Sequence, residues 1–225
     1  METSLYFAYV AIASRLLPLG MGIRRWRAIG PAGRLLVAFV GLSLAGDVIG
    51  GIFLGRVLGL NNQWVSHFLI AVQTPILVLA FSEWAASPRM RRALRYTAVA
   101  AIVAWIVLTL GFETLTRFAR VTGPLQAALF CVVAATVLIR RALAAESPLG
   151  GSDWFFVCLG VLLVYSLTAV YRPLLDLSTT KGIAAIPAWT VLRTLSTLQT
   201  IANLLYTRAL YVAGRTSARA VPAVA

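Results

Sequence analysis

Seven apolar stretches, separated by short links rich in arginine, limit what this chain can fold into. They cover residues 4–23, 35–54, 63–81, 96–112, 124–138, 154–171 and 187–211. Roughly 20 apolar residues in a helix span the ~30 Å hydrocarbon core of a bilayer. Inside that core each backbone N–H and C=O needs a partner within its own segment, which leaves the helix as the natural form for stretches of this length. Composition agrees: 60% of the 225 residues are hydrophobic, 12% are charged and mean hydropathy is +0.87, whereas about a quarter of a soluble domain is charged. The expected fold is all-α: a polytopic membrane protein with seven transmembrane helices in one domain, residues 1–213. A short basic tail, 214–225, is expected to be disordered. The start, Met1-Glu2-Thr3, lacks a basic leader, and Arg15 interrupts the first apolar run. The first stretch therefore reads as an uncleaved span and not a signal peptide.

The net charge of +13 fits topology better than nucleic acid, because no basic run is interleaved with aromatics in a soluble-looking segment. Alternate links carry most of the charge. One set holds Arg24, Arg25, Arg27, Arg34, Arg89, Arg91, Arg92, Arg95, Arg140, Arg141, Arg208, Arg215 and Arg219. The other holds only Arg56, Arg117, Arg120, Arg172 and Lys181. Basic residues collect on the cytoplasmic side of short loops. The amino terminus is therefore expected outside and the carboxyl terminus inside, in the cytoplasmic membrane. Trp26, Trp64, Trp84, Trp154 and Trp189 fall near span ends, where indole prefers the interface.

Gln73-Thr74 and Gln199-Thr200 are 126 residues apart, and His67 and Arg193 each stand six residues before their glutamine. This spacing suggests a duplication of spans one to three as spans five to seven, with span four as linker and an insertion at 176–185. Parallel repeats of this kind occur in transporters. The layout is similar to the three-plus-one-plus-three plan of the SWEET and PQ-loop transporters. The likeness is one of layout alone, since the chain has no Pro-Gln dipeptide.

Polar residues inside the spans are the candidates for function. Arg15 and Asp47 lie near mid-depth of spans one and two. A lone charge there costs at least ~2.5–3.5 kcal/mol, so each needs a partner. They are expected to form a structural ion pair, with a proton or ion relay as the alternative. Span two also carries Gly46, Gly50, Gly51 and Gly55, a spacing that lets backbones approach closely. That face suits a neighbour in the same chain or a second copy, so a homo-oligomer stays open.

On span three, His67 and Thr74 are nearly eclipsed, as are Ser66 and Gln73. Pro75 cannot donate to the carbonyl of Ala71 and is expected to act as a hinge. Span seven carries Arg193, Ser196, Thr197 and Thr200 in one sector, flanked by Gln199 and Asn203. Together, His67, Gln73, Thr74, Arg193, Gln199 and Asn203 form the expected ligand-binding set between spans three and seven. Gln126, Tyr165 and Tyr171 would complete its walls.

No cofactor or metal is expected. Lys181, the only lysine, falls in a link, which argues against a retinal Schiff base. One histidine is too few for the two-histidine ligation of a membrane haem. No His, Cys, Asp or Glu cluster has zinc spacing, and no phosphate-binding glycine loop occurs. Cys131 and Cys158 read as small packing residues. The expected function is transport of a small solute across the membrane. Two alternatives remain: a ligand-binding sensor that signals through a partner chain, and an enzyme acting on lipid or an isoprenoid.

Overall fold

The computed structural model describes residues 2–116, 119–144, 149–181 and 188–219, and the described residues are helical apart from the links. Helices α1 (Glu2–Ser14) and α2 (Leu16–Arg24) make one broken rod. α3 (Pro31–Gly46) runs into an eleven-residue π-helix, Asp47–Val57. α4 (Gln63–Glu83), α5 (Pro88–Phe112), α6 (Thr122–Leu143), α7 (Asp153–Lys181) and α8 (Ala188–Arg219) follow. Six rods among the described residues are long and apolar enough to cross a membrane: Tyr6–Arg24, Pro31–Val57, Gln63–Glu83, Pro88–Phe112, Thr122–Leu143 and Asp153–Tyr171.

α8 is the longest helix, at 32 residues, and is more polar. Four of its threonine hydroxyls are satisfied within the helix. Thr194, Thr197, Thr200 and Thr207 each donate to the carbonyl four residues back, at 2.8–2.9 Å. α8 remains helical through residues 214–219, while 220–225 lie outside the described residues, and of the suggested insertion at 176–185 residues 176–181 continue α7 and 182–185 lie outside them.

Local chemistry explains the element ends. Pro18 has no N–H for the carbonyl of Ser14, so the first rod breaks at Arg15, whose own N–H bonds Ile12 O at 3.2 Å. α5 starts earlier than hydropathy suggests. Ser87 accepts from Met90 N, and Pro88 takes the first helical position, so Arg89, Arg91, Arg92 and Arg95 ride on its first turns. In the π-helix, Leu58 N reaches five residues back to Phe53 O at 3.0 Å. α4 runs unbroken through Pro75.

Six rods form a ring in chain order: α1–α2, α3 with its π-helix, α4, α6, α7 and α8, with α8 closing against α1 and α2. α5 stands outside the ring, packed on α4 and scarcely touching α6. The glycine face expected to allow close approach is taken up by α4: a Cβ on Gly50 would lie 3.0 Å from Val65, and one on Gly46 would strike Leu69.

The two ends of the bundle differ. At one end Arg25 donates to Tyr211 O (2.7 Å), Arg141 to Trp84 O (2.6 Å), and Trp84 Nε1 to Asp153 (3.0 Å). At the other end Arg56 meets Tyr9, and Asn61 Nδ2 donates to Thr116 O (2.8 Å). From mid-depth toward the first end the ring is packed solid with fully buried Leu36, Leu77, Phe81, Phe130, Val157 and Tyr206. Phe130 meets Phe39 and Tyr165 edge-on, at 6.2 and 4.8 Å. In lipid such close van der Waals contact, more than the hydrophobic effect, holds helices together.

Candidate functional site

Toward the second end the ring is hollow. A cavity of about 660 Å³ runs from the level of Gln63 down to Gln73, ten residues or roughly 15 Å deeper along α4. Every rod of the ring contributes to it, and α5 does not. Tyr9, Arg56, Asn62 and Gln63 stand at its mouth, and Arg15, Ser43, Asp47, Gln73, Tyr165 and Tyr206 at its base.

The base is built by the irregularities of the first two rods. Arg15 sits at the break between α1 and α2, and Asp47 at the residue where α3 becomes a π-helix. The two side chains form an ion pair. Arg15 also donates to Ser43 O at 3.4 Å. Their exposures differ, 13% for the Arg15 side chain and 35% for Asp47, so the carboxylate is the partner more open to the cavity. Gln73 Nε2 donates to Ser43 Oγ (3.0 Å), and Ser43 Oγ donates to Phe39 O (2.9 Å). Gln199 lines the opposite wall and donates to Asn203 Oδ1 at 3.3 Å.

Of the six residues in the expected ligand set, Gln73 and Gln199 face this cavity. Thr74 and Asn203 stand behind its wall. Thr74 Oγ1 accepts from Gln126 Nε2 at 2.9 Å. Asn203 Nδ2 donates to Ser14 Oγ at 2.7 Å and ties α8 to α1. His67 lies elsewhere: fully buried, it faces Glu113, with Nδ1 3.7 Å from Oε2. That carboxylate accepts from Val121 N (2.6 Å), Thr122 N (3.0 Å) and Thr122 Oγ1 (2.6 Å). Glu113 thus holds the N-terminus of α6, where a negative charge is favoured, and joins it to α4. The Arg193 guanidinium stacks 5.0 Å above the Phe7 ring, on the exposed side of α8. Among the additional wall candidates, Gln126 and Tyr165 line the cavity.

The contact between Arg15 and Asp47 could be anticipated, because each residue is the lone charge within its span. Its position at the base of a cavity could not, since that depends on the ring order of the helices. Ser43 carried no sequence signal, and Arg56 signalled only topology, as a basic residue in a link. Among the described residues no group of three His, Cys, Asp or Glu side chains is placed to hold a metal ion. The available chemistry is a guanidinium and a carboxylate at mid-depth, surrounded by amides and hydroxyls, in a space the size of a ligand site. Comparison with protein-family models, with characterised proteins and with solved structures finds no match.

Proposed function

We propose that this chain is a seven-span carrier of the cytoplasmic membrane that takes a small polar solute from the outer side. The observation that carries the reading is the cavity itself: every rod of the ring lines it, it reaches mid-depth, and packed side chains close it below. A carrier held open to one side has this form, with its site near the midplane. The arginine-rich helix ends lie at the closed end, which the positive-inside tendency would place in the cytoplasm. A ring in chain order, with α5 outside it, also suits two parallel halves joined by a linker span: a half-turn carries rods one to three onto five to seven. Gln73 and Gln199, which the suggested repeat would pair, both line the cavity.

Arg15, Asp47, Gln73 and Gln199 are proposed to contact the solute. Uptake into proteoliposomes across a panel of amino acids, betaines, small carboxylates and single-chain amphiphiles headed by such groups tests this. For any solute carried by the wild type, Gln73→Leu and Gln199→Leu should each weaken half-saturation by about fivefold, the scale of one lost hydrogen bond. Arg193→Gln should leave it unchanged. Equal half-saturation for all three variants and the wild type would sink the reading.

A further inference from the structure

A second cavity, of about 260 Å³ and mostly apolar, lies between α4, α5 and α6, where α5 rests on α4 but scarcely meets α6. Ala100, Ala101 and Ala104 leave the space on one side, and Leu125 and Leu129 bound it on the other. Around it, Val99, Val103, Ile106 and Val107 of α5 are exposed, as suits a surface facing acyl chains.

Two features set this groove directly against the central cavity. Ile70 and Gln126 line both. The partition between them includes the hydrogen bond from Gln126 Nε2 to Thr74 Oγ1, at 2.9 Å. A third observation points to a ligand. Trp105 lines the groove, and its buried Nε1 has no hydrogen-bond acceptor among the described residues. A buried donor in hydrocarbon has no water to turn to, so an oxygen brought in by a ligand would satisfy it.

We infer that the solute is the head of a single-chain amphiphile. This rests on reading the central cavity as the solute site. The head is zwitterionic and lies at the base of the central cavity, its anionic part toward Arg15 and its cationic part toward the more open Asp47. The chain enters the groove where the Gln126–Thr74 hydrogen bond opens to admit it, and Trp105 Nε1 donates to an oxygen where head and chain join. At about 30 Å³ for each water-sized group, the groove holds roughly nine such groups, room for the upper part of one chain and not for two side by side.

Photo-crosslinking tests this on the full chain in lipid nanodiscs, with lysophosphatidylcholine carrying a mid-chain diazirine as the probe. Adducts are expected on the groove-lining Ala101, Ala104 and Trp105 of α5 and Leu129 of α6, well above those on the lipid-facing Val99, Val103 and Leu110. Ala104→Trp, which fills the groove, should cut them about tenfold, with Ala101→Leu as a milder second filling variant should the first misfold. Arg15→Gln or Gln73→Leu should lower them several-fold by loosening the head. Groove adducts no more frequent than those near Leu110, or unchanged by filling, overturn the inference. Adducts abolished by filling but indifferent to Arg15→Gln and Gln73→Leu assign the groove to an ordinary bilayer lipid. That overturns the inference and leaves the central cavity reading standing, since that reading fails only in its own uptake assay.

Discussion

The Arg15–Asp47 pair allows a prediction with a direction as well as a size. At ~4 Å and an effective dielectric constant of ~20, two unit charges attract by ~4 kcal/mol. Asp47 is 35% exposed toward the cavity, so water replaces part of what it would lose, and a net value of ~2 kcal/mol is reasonable. The two single variants should not be equal. Asp47→Asn strands a guanidinium that is only 13% exposed and has Ser43 O as a distant acceptor. Arg15→Gln strands a carboxylate that the cavity can hydrate. For a protein of this size ~1 kcal/mol moves a melting temperature by ~2–4 °C. Asp47→Asn should therefore lower the apparent melting temperature in detergent by ~4–8 °C, and Arg15→Gln by about half as much. The double variant, with no unpaired charge, should lose less than the sum, with a coupling of ~1–2 kcal/mol. Scanning fluorimetry of the four proteins under one condition checks all three values. Strictly additive losses, or a larger loss from Arg15→Gln than from Asp47→Asn, would refute the reasoning.

Glu113→Gln should lower the melting temperature by ~3–8 °C, because it removes both the charge at the start of α6 and the carboxylate facing buried His67 (~1–3 kcal/mol). Arg95→Gln is the contrast: its partner Glu83 lies on a surface where such pairs contribute at most ~1 kcal/mol, so the same melting measurement should barely move. Gly160→Val should cost ~1–3 kcal/mol by overpacking, since even a Cβ there would lie 2.6 Å from the Tyr206 ring, while Gly150→Ala meets nothing within 4 Å and should melt like the wild type. In a cysteine-free background, Asn62→Cys should react with a membrane-impermeant maleimide added to intact cells, and Arg91→Cys only after permeabilisation. The opposite labelling pattern would reverse the proposed orientation.

Much of the helix plan is legible in the chain, because length and apolarity alone define a stretch that can cross lipid. The glycines of span two announce a close neighbour for the same local reason. What cannot be read is which helix faces which. The polar sectors of α4 and α8 are real, but a helical wheel does not say that His67 turns toward Glu113, in a link far along the chain, while Gln73 turns into the cavity. Nor does hydropathy reveal the π-helix that begins at Asp47, since an extra residue per turn leaves composition unchanged. The arginine run before span four looks like a link because charge ends an apolar stretch, whereas Ser87 and Pro88 begin a helix whether or not the next residues are charged.

The ring in chain order has a consequence for biogenesis. The helix that closes it leaves the ribosome after the other rods of the ring and is the least suited to enter lipid alone, since Arg193, Gln199 and Asn203 each oppose insertion. Its natural seat is the seam between α7 and the first rod, where Ser14 is placed to receive Asn203. Insertion of α8 should therefore depend on helices made much earlier in synthesis. In a glycosylation-mapping assay, α8 fused alone behind a reporter should insert poorly, and the same helix in the full chain should insert well. Asn203→Leu should narrow that gap by making α8 less reliant on the seam that receives it.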